Sequence, residues 1–191
     1  DRLYEEDARA DSPLWRKVKE CISVLIAAGK LLPELAAAGH AAGMEIYSYA
    51  NPQSLNTNPG TFRRNYGLAL WKAGYDGAMD YAYNSSFGLC PWNDFDYVTH
   101  TDYRYRGDMG FVVSTSTGCV DSVAWEGFAA GVNDVRYLST LLREIAKAPR
   151  SRPAREAARW LAGMDIKADP DALRRRIIRW ILKLEESRRG R

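Results

Sequence analysis

Three features of the sequence predict an α/β fold built on a parallel sheet. Short β-branched or aromatic runs recur between segments of helical periodicity. Glycine and proline punctuate the runs. The strands alternate with helices rather than with one another, an order that calls for right-handed crossovers between parallel strands. The chain has 191 residues, too few for a closed eight-stranded barrel, which takes about 250. Two architectures remain open: a small open sheet, or the C-terminal half of a barrel.

The elements follow in order. Asp11-Ser12-Pro13 offers a capping side chain and a first-turn proline, so a helix starts there. The apolar run Cys21 to Ile26 reads as a buried strand or as the continuation of that helix. Pro33 opens a small-residue helix to Ala42, which Gly43 stops. Met44 to Ala50 is a strand, and the turn-rich stretch Asn51 to Gly60 follows. Thr61 to Ala73 is a helix with Phe62, Tyr66, Leu70 and Ala73 on one face. Gly77 to Asn84 is a strand, Ser85 to Asp108 a long irregular segment, and Gly110 to Ser114 another parallel strand. A long helix runs from a cap at Asp121 or Ser122 to about Lys147, with a core stripe of Phe128, Val132, Val135, Leu138, Leu142 and Ile145. Two helices close the chain, Pro153 to Gly163 and one from Asp169-Pro170. The second shows Leu173, Ile177, Trp180, Ile181 and Leu184 on one face.

Composition narrows the function. At 46% hydrophobic and 27% charged residues the chain is globular, and 12% aromatics suit a large core or a cleft for flat ligands. No apolar run approaches 18 residues, so no membrane span is expected. The three cysteines, Cys21, Cys90 and Cys119, are odd in number and far apart, which suggests neither a disulfide scaffold nor a zinc ribbon. With only His40 and His100, no metal site is expected, and nothing calls for a cofactor. No signal peptide is evident, so the compartment stays open between the cytoplasm and the periplasm or exterior. The chain does not begin with Met, as expected of a processed or truncated product. The net charge of +3 is unevenly spread. Residues 150–191 hold 13 Lys/Arg against 6 Asp/Glu, leaving −4 on residues 1–149. Two units are therefore expected, a body over 1–149 and a basic helical extension over 150–191. Trp160 and Trp180 fall on apolar stripes rather than among the basic residues, so no nucleic-acid partner is expected from the extension.

In parallel α/β folds chemistry gathers at the C-terminal ends of strands. Those ends carry Tyr47, Tyr49 and Asn51, then Tyr81, Tyr83 and Asn84, then Ser114 to Ser116. Rings beside amides suit sugars, whose C–H faces stack and whose hydroxyls need donors and acceptors. Asp80, placed mid-strand, needs a reason to be buried. Trp92 and Asp94 in the long loop are candidates to close over a ligand. Asp96, Asp102 and Asp108 accompany them, but no pair of carboxylates is marked by spacing as a glycosidase requires. There is no phosphate-cradling glycine motif and no G-x-S-x-G elbow. No histidine lies near Ser114-Thr115-Ser116-Thr117 to activate a hydroxyl.

Three motifs in order carry a resemblance. Trp71-Lys72-Ala73-Gly74-Tyr75-Asp76-Gly77 leads into Tyr81, Pro91-Trp92-Asn93-Asp94 follows, and a helix begins at Ser122 with Glu126, Gly131, Asp134, Tyr137 and Leu138. Over about 43–147 this resembles the C-terminal part of the glycoside hydrolase family 123 catalytic domain. The resemblance implies the last four strands of a (β/α)8 barrel of the TIM type, followed by C-terminal helices. It implies action on N-acetylhexosamine-containing carbohydrates, by substrate-assisted retaining hydrolysis with an Asp-Glu pair from earlier in the barrel. Glu5-Glu6-Asp7 does not match that pair, so the dyad is expected upstream and the catalytic residues of this chain stay unassigned. Ala124 and Ala129 stand where the family has arginines, and Ser114-Thr115 where it has Tyr-Pro. Glu126 and Asp134 are accordingly read as structural. The expected ligand set is Tyr47, Tyr49, Asn51, Asp80, Tyr81, Tyr83, Asn84, Trp92 and Asp94. The expected partners are a carbohydrate and an upstream half-barrel, with no membrane. The alternative is a barrel remnant that binds sugar without cleaving it.

Overall fold

The computed structural model describes residues 17, 21–49, 51, 58–84 and 110–189. Three strands, β1 (Val24–Ala28), β2 (Glu45–Tyr49) and β3 (Gly77–Met79), form a parallel sheet in that order. Helix α1 (Pro33–Ala41) connects the first two; α2 (Pro59–Asn65) and α3 (Leu68–Lys72) lie between the second and third. The class is therefore α/β, as the alternation of patterns predicts. The expected strand at 21–26 sits three residues later and ends at Gly29, whose φ of +89° favours a residue without Cβ.

Register fixes the two faces of the sheet. Leu25, Ile46 and then Ala27, Ser48 and Ala78 lie side by side on one face. That face packs with Leu35, Ala36, Met44, Leu70 and Tyr75 into one core. The other face carries Ile26, Tyr47 and Gly77 in one row, and Ala28, Tyr49 and Met79 in the next. Here Ile26 is 47% exposed and Met79 45%. The Tyr47 ring packs over Gly77, where an added Cβ would stand 2.3 Å from Cε1.

The single helix expected over 61–73 is broken in two. Gly67 adopts non-helical angles (φ −114°, ψ −114°), and a Cβ there would meet the Arg63 carbonyl at 2.4 Å and Gly131 Cα at 2.9 Å. The break divides the expected stripe. Phe62 and Tyr66 join Phe111, Val112 and Ala124 in an aromatic core, while Leu70 joins the sheet core.

The parallel strand expected at 110–114 is corrected. β4 (Val112–Thr115) pairs antiparallel with β5 (Gly118–Asp121), a strand not anticipated, in a separate two-stranded sheet. Its turn at Ser116 and Thr117 is held by Thr115 Oγ1, which donates to the Gly118 carbonyl at 2.9 Å. The hairpin attaches beyond β3 through the Phe111 and Val112 N–H groups, which donate to the Tyr83 carbonyl at 3.0 Å each.

Helices α4 (Val123–Lys147), α5 (Arg152–Ala162) and α6 (Pro170–Arg189) complete the chain. Ser122 caps α4 and Ser151 caps α5, each accepting an N–H at 3.2 Å. Their apolar stripes, with Leu68 from α3, form one core: Leu138 and Leu141, then Ala154, Ala157 and Leu161, then Leu173, Ile177, Ile181 and Leu184. The period expected for α4 holds, but its phase is off. The buried residues are Ala124, Gly127, Gly131, Asp134, Leu138, Leu141 and Glu144, whereas Val132 is 41% and Leu142 38% exposed. The reason is a close crossing with α2. A Cβ on Gly127 would lie 2.2 Å from the Pro59 carbonyl, and one on Gly131 2.7 Å from that of Arg63. The face that packs closest is thus made of glycine and of an ion-paired aspartate, which apolar periodicity does not register. Asp134 is 1% exposed and accepts from Arg63 Nε at 2.7 Å and from Arg174 Nε. Arg63 reaches on to Asp171 at 2.6 Å. The structural reading of Asp134 therefore stands, with Arg63 and Arg174 as its partners.

Candidate functional site

The polar cluster beyond the ends of β2 and β3 is built around Tyr66, at the C-cap of α2. The Tyr66 hydroxyl accepts the Asn51 N–H at 2.9 Å and donates to Asp80 Oδ2 at 3.0 Å. Asp80 Oδ1 accepts the Tyr81 N–H at 2.9 Å, and Asn65 Nδ2 reaches Asn51 Oδ1 at 3.5 Å. One hydroxyl thus ties the chain after β2 to the carboxylate after β3. The Tyr66 ring stacks on Phe62 and tilts against Phe128, 5.1 Å away between centroids, so the hydroxyl has an apolar backing.

That backing sets the electrostatics. Burial pushes the Asp80 carboxyl up to about 6, against hydrogen bonds from Tyr66 and the Tyr81 N–H that favour its ionised form. Burial, and then the charge of Asp80, push the Tyr66 phenol well above the usual range. A carboxyl poised at about 6 exchanges its proton around neutrality, the property a general acid or base needs. The structure moves Asp80 from the expected mid-strand position to the residue just past β3, because β3 ends at Met79.

The expected ligand residues separate into groups. Tyr49, Asn51, Asp80 and Tyr81 lie at the same end of the sheet, with Tyr81 44% exposed. Tyr83 and Asn84 belong to a second group on the hairpin side. The Tyr83 ring stands edge-on to Trp125 with centroids 5.8 Å apart, and Asn84 Nδ2 donates to Ser114 Oγ. The expected strand alternation of Tyr81 and Tyr83 is replaced by bends after β3, and the Tyr81–Ala82 peptide is cis. Tyr47 lies over Gly77 and donates to Glu45 Oε2 at 3.2 Å, so it serves the sheet rather than the cluster. Trp92, Asp94 and the Glu5-Glu6-Asp7 run lie outside the described residues.

Sequence reasoning misses Tyr66 and Asn65 as site residues. The spacing of Tyr66 from Phe62 assigns it to a core stripe, and its ring does lie in that core. The signal available is a tyrosine where phenylalanine would fill the same space, since a buried phenol needs a partner. His40 is a satisfied surface residue: its Nε2 meets Asp76 Oδ2 at 2.9 Å, and the same carboxylate accepts the Ile46 N–H at 2.7 Å. Among the described residues no cluster of three metal-ligating side chains occurs. No family profile, curated protein or solved structure matches the chain.

Proposed function

We propose that the chain is a carbohydrate-binding, glycoside hydrolase-like segment of a (β/α)8 barrel, with its ligand held at the Asp80 end of the sheet. The observation that carries the reading is the meeting of Asp80, poised at about 6, with the Tyr66 hydroxyl and the exposed Tyr81 ring beyond the C-terminal ends of parallel strands. A sugar hydroxyl can donate to Asp80 while its C–H face stacks on Tyr81, with Tyr49 and Asn51 beside them. The motif resemblance to glycoside hydrolase family 123 supplies the substrate class, N-acetylhexosamines. The barrel assignment rests on the same motifs.

In that reading Asp80 orients the ligand, the Tyr66 hydroxyl holds the Asp80 carboxyl in place, and the catalytic Asp-Glu pair comes from upstream. A second reading, binding without hydrolysis, is favoured by the departures from the family motifs at Ala124 and Ala129, where arginines are expected.

Titration calorimetry with N-acetylgalactosamine and N-acetylglucosamine tests the proposal. The wild-type chain should bind, and Asp80→Asn and Tyr81→Ala should each weaken binding by about 1–3 kcal/mol. Release of aryl alcohol from an aryl N-acetylgalactosaminide separates the enzyme from the binder. Equal affinity in the wild type and both variants would remove this end of the sheet as the sugar site.

A further inference from the structure

We propose that the outer face of the α5–α6 helix pair binds the phosphate backbone of a nucleic acid, independently of the sugar site. The sequence argument against a polyanion rests on Trp160 and Trp180 lying within apolar stripes. The structure packs both against the helical core but leaves them half-buried, with a cation over each ring. The Arg176 guanidinium sits 5.6 Å from the Trp160 ring centre, and Lys183 Nζ 4.7 Å from that of Trp180. Arg176 therefore reaches from α6 to α5, and Lys183 does the same at 3.2 Å to Glu156. These contacts hold the helices side by side and set their exposed cations in two adjacent rows.

Arg152, Arg155 and Arg159 line α5, and Arg175, Arg176, Arg179 and Lys183 line α6. Apart from the adjacent Arg175 and Arg176, spacing of three or four residues sets successive cations about 4.5–6 Å apart along each helix axis. Glu156 neutralises Arg152 and Lys183, and Asp169 lies 3.5 Å from Arg175. Among the described residues no carboxylate pairs with Arg155, Arg159, Arg176 or Arg179. A linear array of unneutralised arginines matches a linear polyanion, because each planar fork grips a phosphate through two N–H donors.

The packing speaks against a bilayer as the occupant. A helix that lies in a membrane surface needs a free apolar face. Here the apolar stripes of both helices are already buried against Leu138 and Leu141 of α4. Leu182, 51% exposed, is one side chain and falls short of such a face.

The test measures anisotropy of a labelled single strand and a labelled duplex, each of about 20 nucleotides, at about 50 and about 200 mM salt. Vesicles rich in phosphatidylserine and a polyglutamate chain are parallel arms. The full chain should bind the oligonucleotides, with affinity falling steeply with salt. Combining Arg159→Glu, Arg176→Glu and Arg179→Glu should weaken binding at least about tenfold, and should flatten the logarithmic salt slope by about 0.7–0.9 for each phosphate no longer engaged. Reversing Arg136 and Arg143 on α4, outside this face, should leave affinity within about twofold. The Gln versions of the triple variant should weaken binding less than the Glu versions, with unchanged circular dichroism. Absence of salt-sensitive oligonucleotide binding, stronger binding to vesicles or polyglutamate, or indifference to the triple reversal would overturn the proposal.

Discussion

Replacing Asp80 by Asn should stabilise the protein at neutral pH and leave it little changed in acid. The carboxyl is raised from an ordinary 3.8 to about 6 because it is partly buried against the aromatic core. The folded state therefore holds the proton more tightly than the unfolded chain. Its contribution is fully present below about pH 4 and is lost as pH rises through about 6. The difference between the two pKa values corresponds to about 3 kcal/mol across that window. Solvent reaches part of the carboxyl and screens it, which brings the expected effect down to about 1–2 kcal/mol. Asn keeps an acceptor for the Tyr66 hydroxyl and has no charge to desolvate. Urea unfolding of both proteins from about pH 4 to about pH 8 reads the effect. The gap in unfolding free energy should widen by about 1–2 kcal/mol in favour of the Asp80→Asn variant over that range. A gap that stays flat with pH, or widens in the opposite direction, would refute the reasoning that burial dominates at this carboxyl.

Other outcomes follow from the same contacts. Tyr66→Phe removes a donor that favours ionised Asp80, so the Asp80 pKa should rise further, read by carbon-detected NMR titration of its carboxyl; an unchanged or lower value would contradict the hydrogen bond. Gly127→Ala should cost roughly 1–3 kcal/mol or more, because its methyl would stand 2.2 Å from the Pro59 carbonyl; calorimetric melting checks it. Asp134→Ala leaves Arg63 and Arg174 without their shared carboxylate and should cost about 3–5 kcal/mol, measured by urea unfolding. The exposed apolar side chains on the outer face of the sheet, with Val24 42% and Ile26 47% exposed, should drive self-association, and a monodisperse monomer in sedimentation at all concentrations would count against it.

Local signals report the elements well and their partners poorly. Helix starts at Pro33, Ser122 and Pro170 and the apolar stripe of α6 are encoded within a few residues, and they stand where the patterns put them. The hairpin is hidden because Gly118 to Asp121 has weak strand character; its pairing with β4 depends on a turn and on the attachment to Tyr83. The phase of α4 is hidden for a different reason. Its closest contacts are made by the absence of side chains at Gly127 and Gly131 and by charge pairing at Asp134. At the candidate site, Tyr49, Asn51 and Tyr81 are legible as strand-end residues, whereas Asp80 reads as mid-strand because the pattern carries β3 on to Asn84. The junction among them is not, since Tyr66 comes from a helix and joins the cluster only through tertiary packing.

Helix α2 is short, yet it faces two ways. Arg63 points to the buried aspartate that unites α4 and α6, and three residues later Tyr66 points to Asp80 and the sheet. Backbone contact at Gly127 and Gly131 leaves α2 no room to slide between them. The sheet half and the helical half are therefore coupled through α2, and α3 adds a second tie with Leu70 in the sheet core and Leu68 in the helical core. Heat or denaturant should dissolve them in one cooperative transition rather than in sequence. A substitution that loosens the glycine crossing should then be felt at both ends, as slackened order around Asp80 and as faster amide exchange along α6.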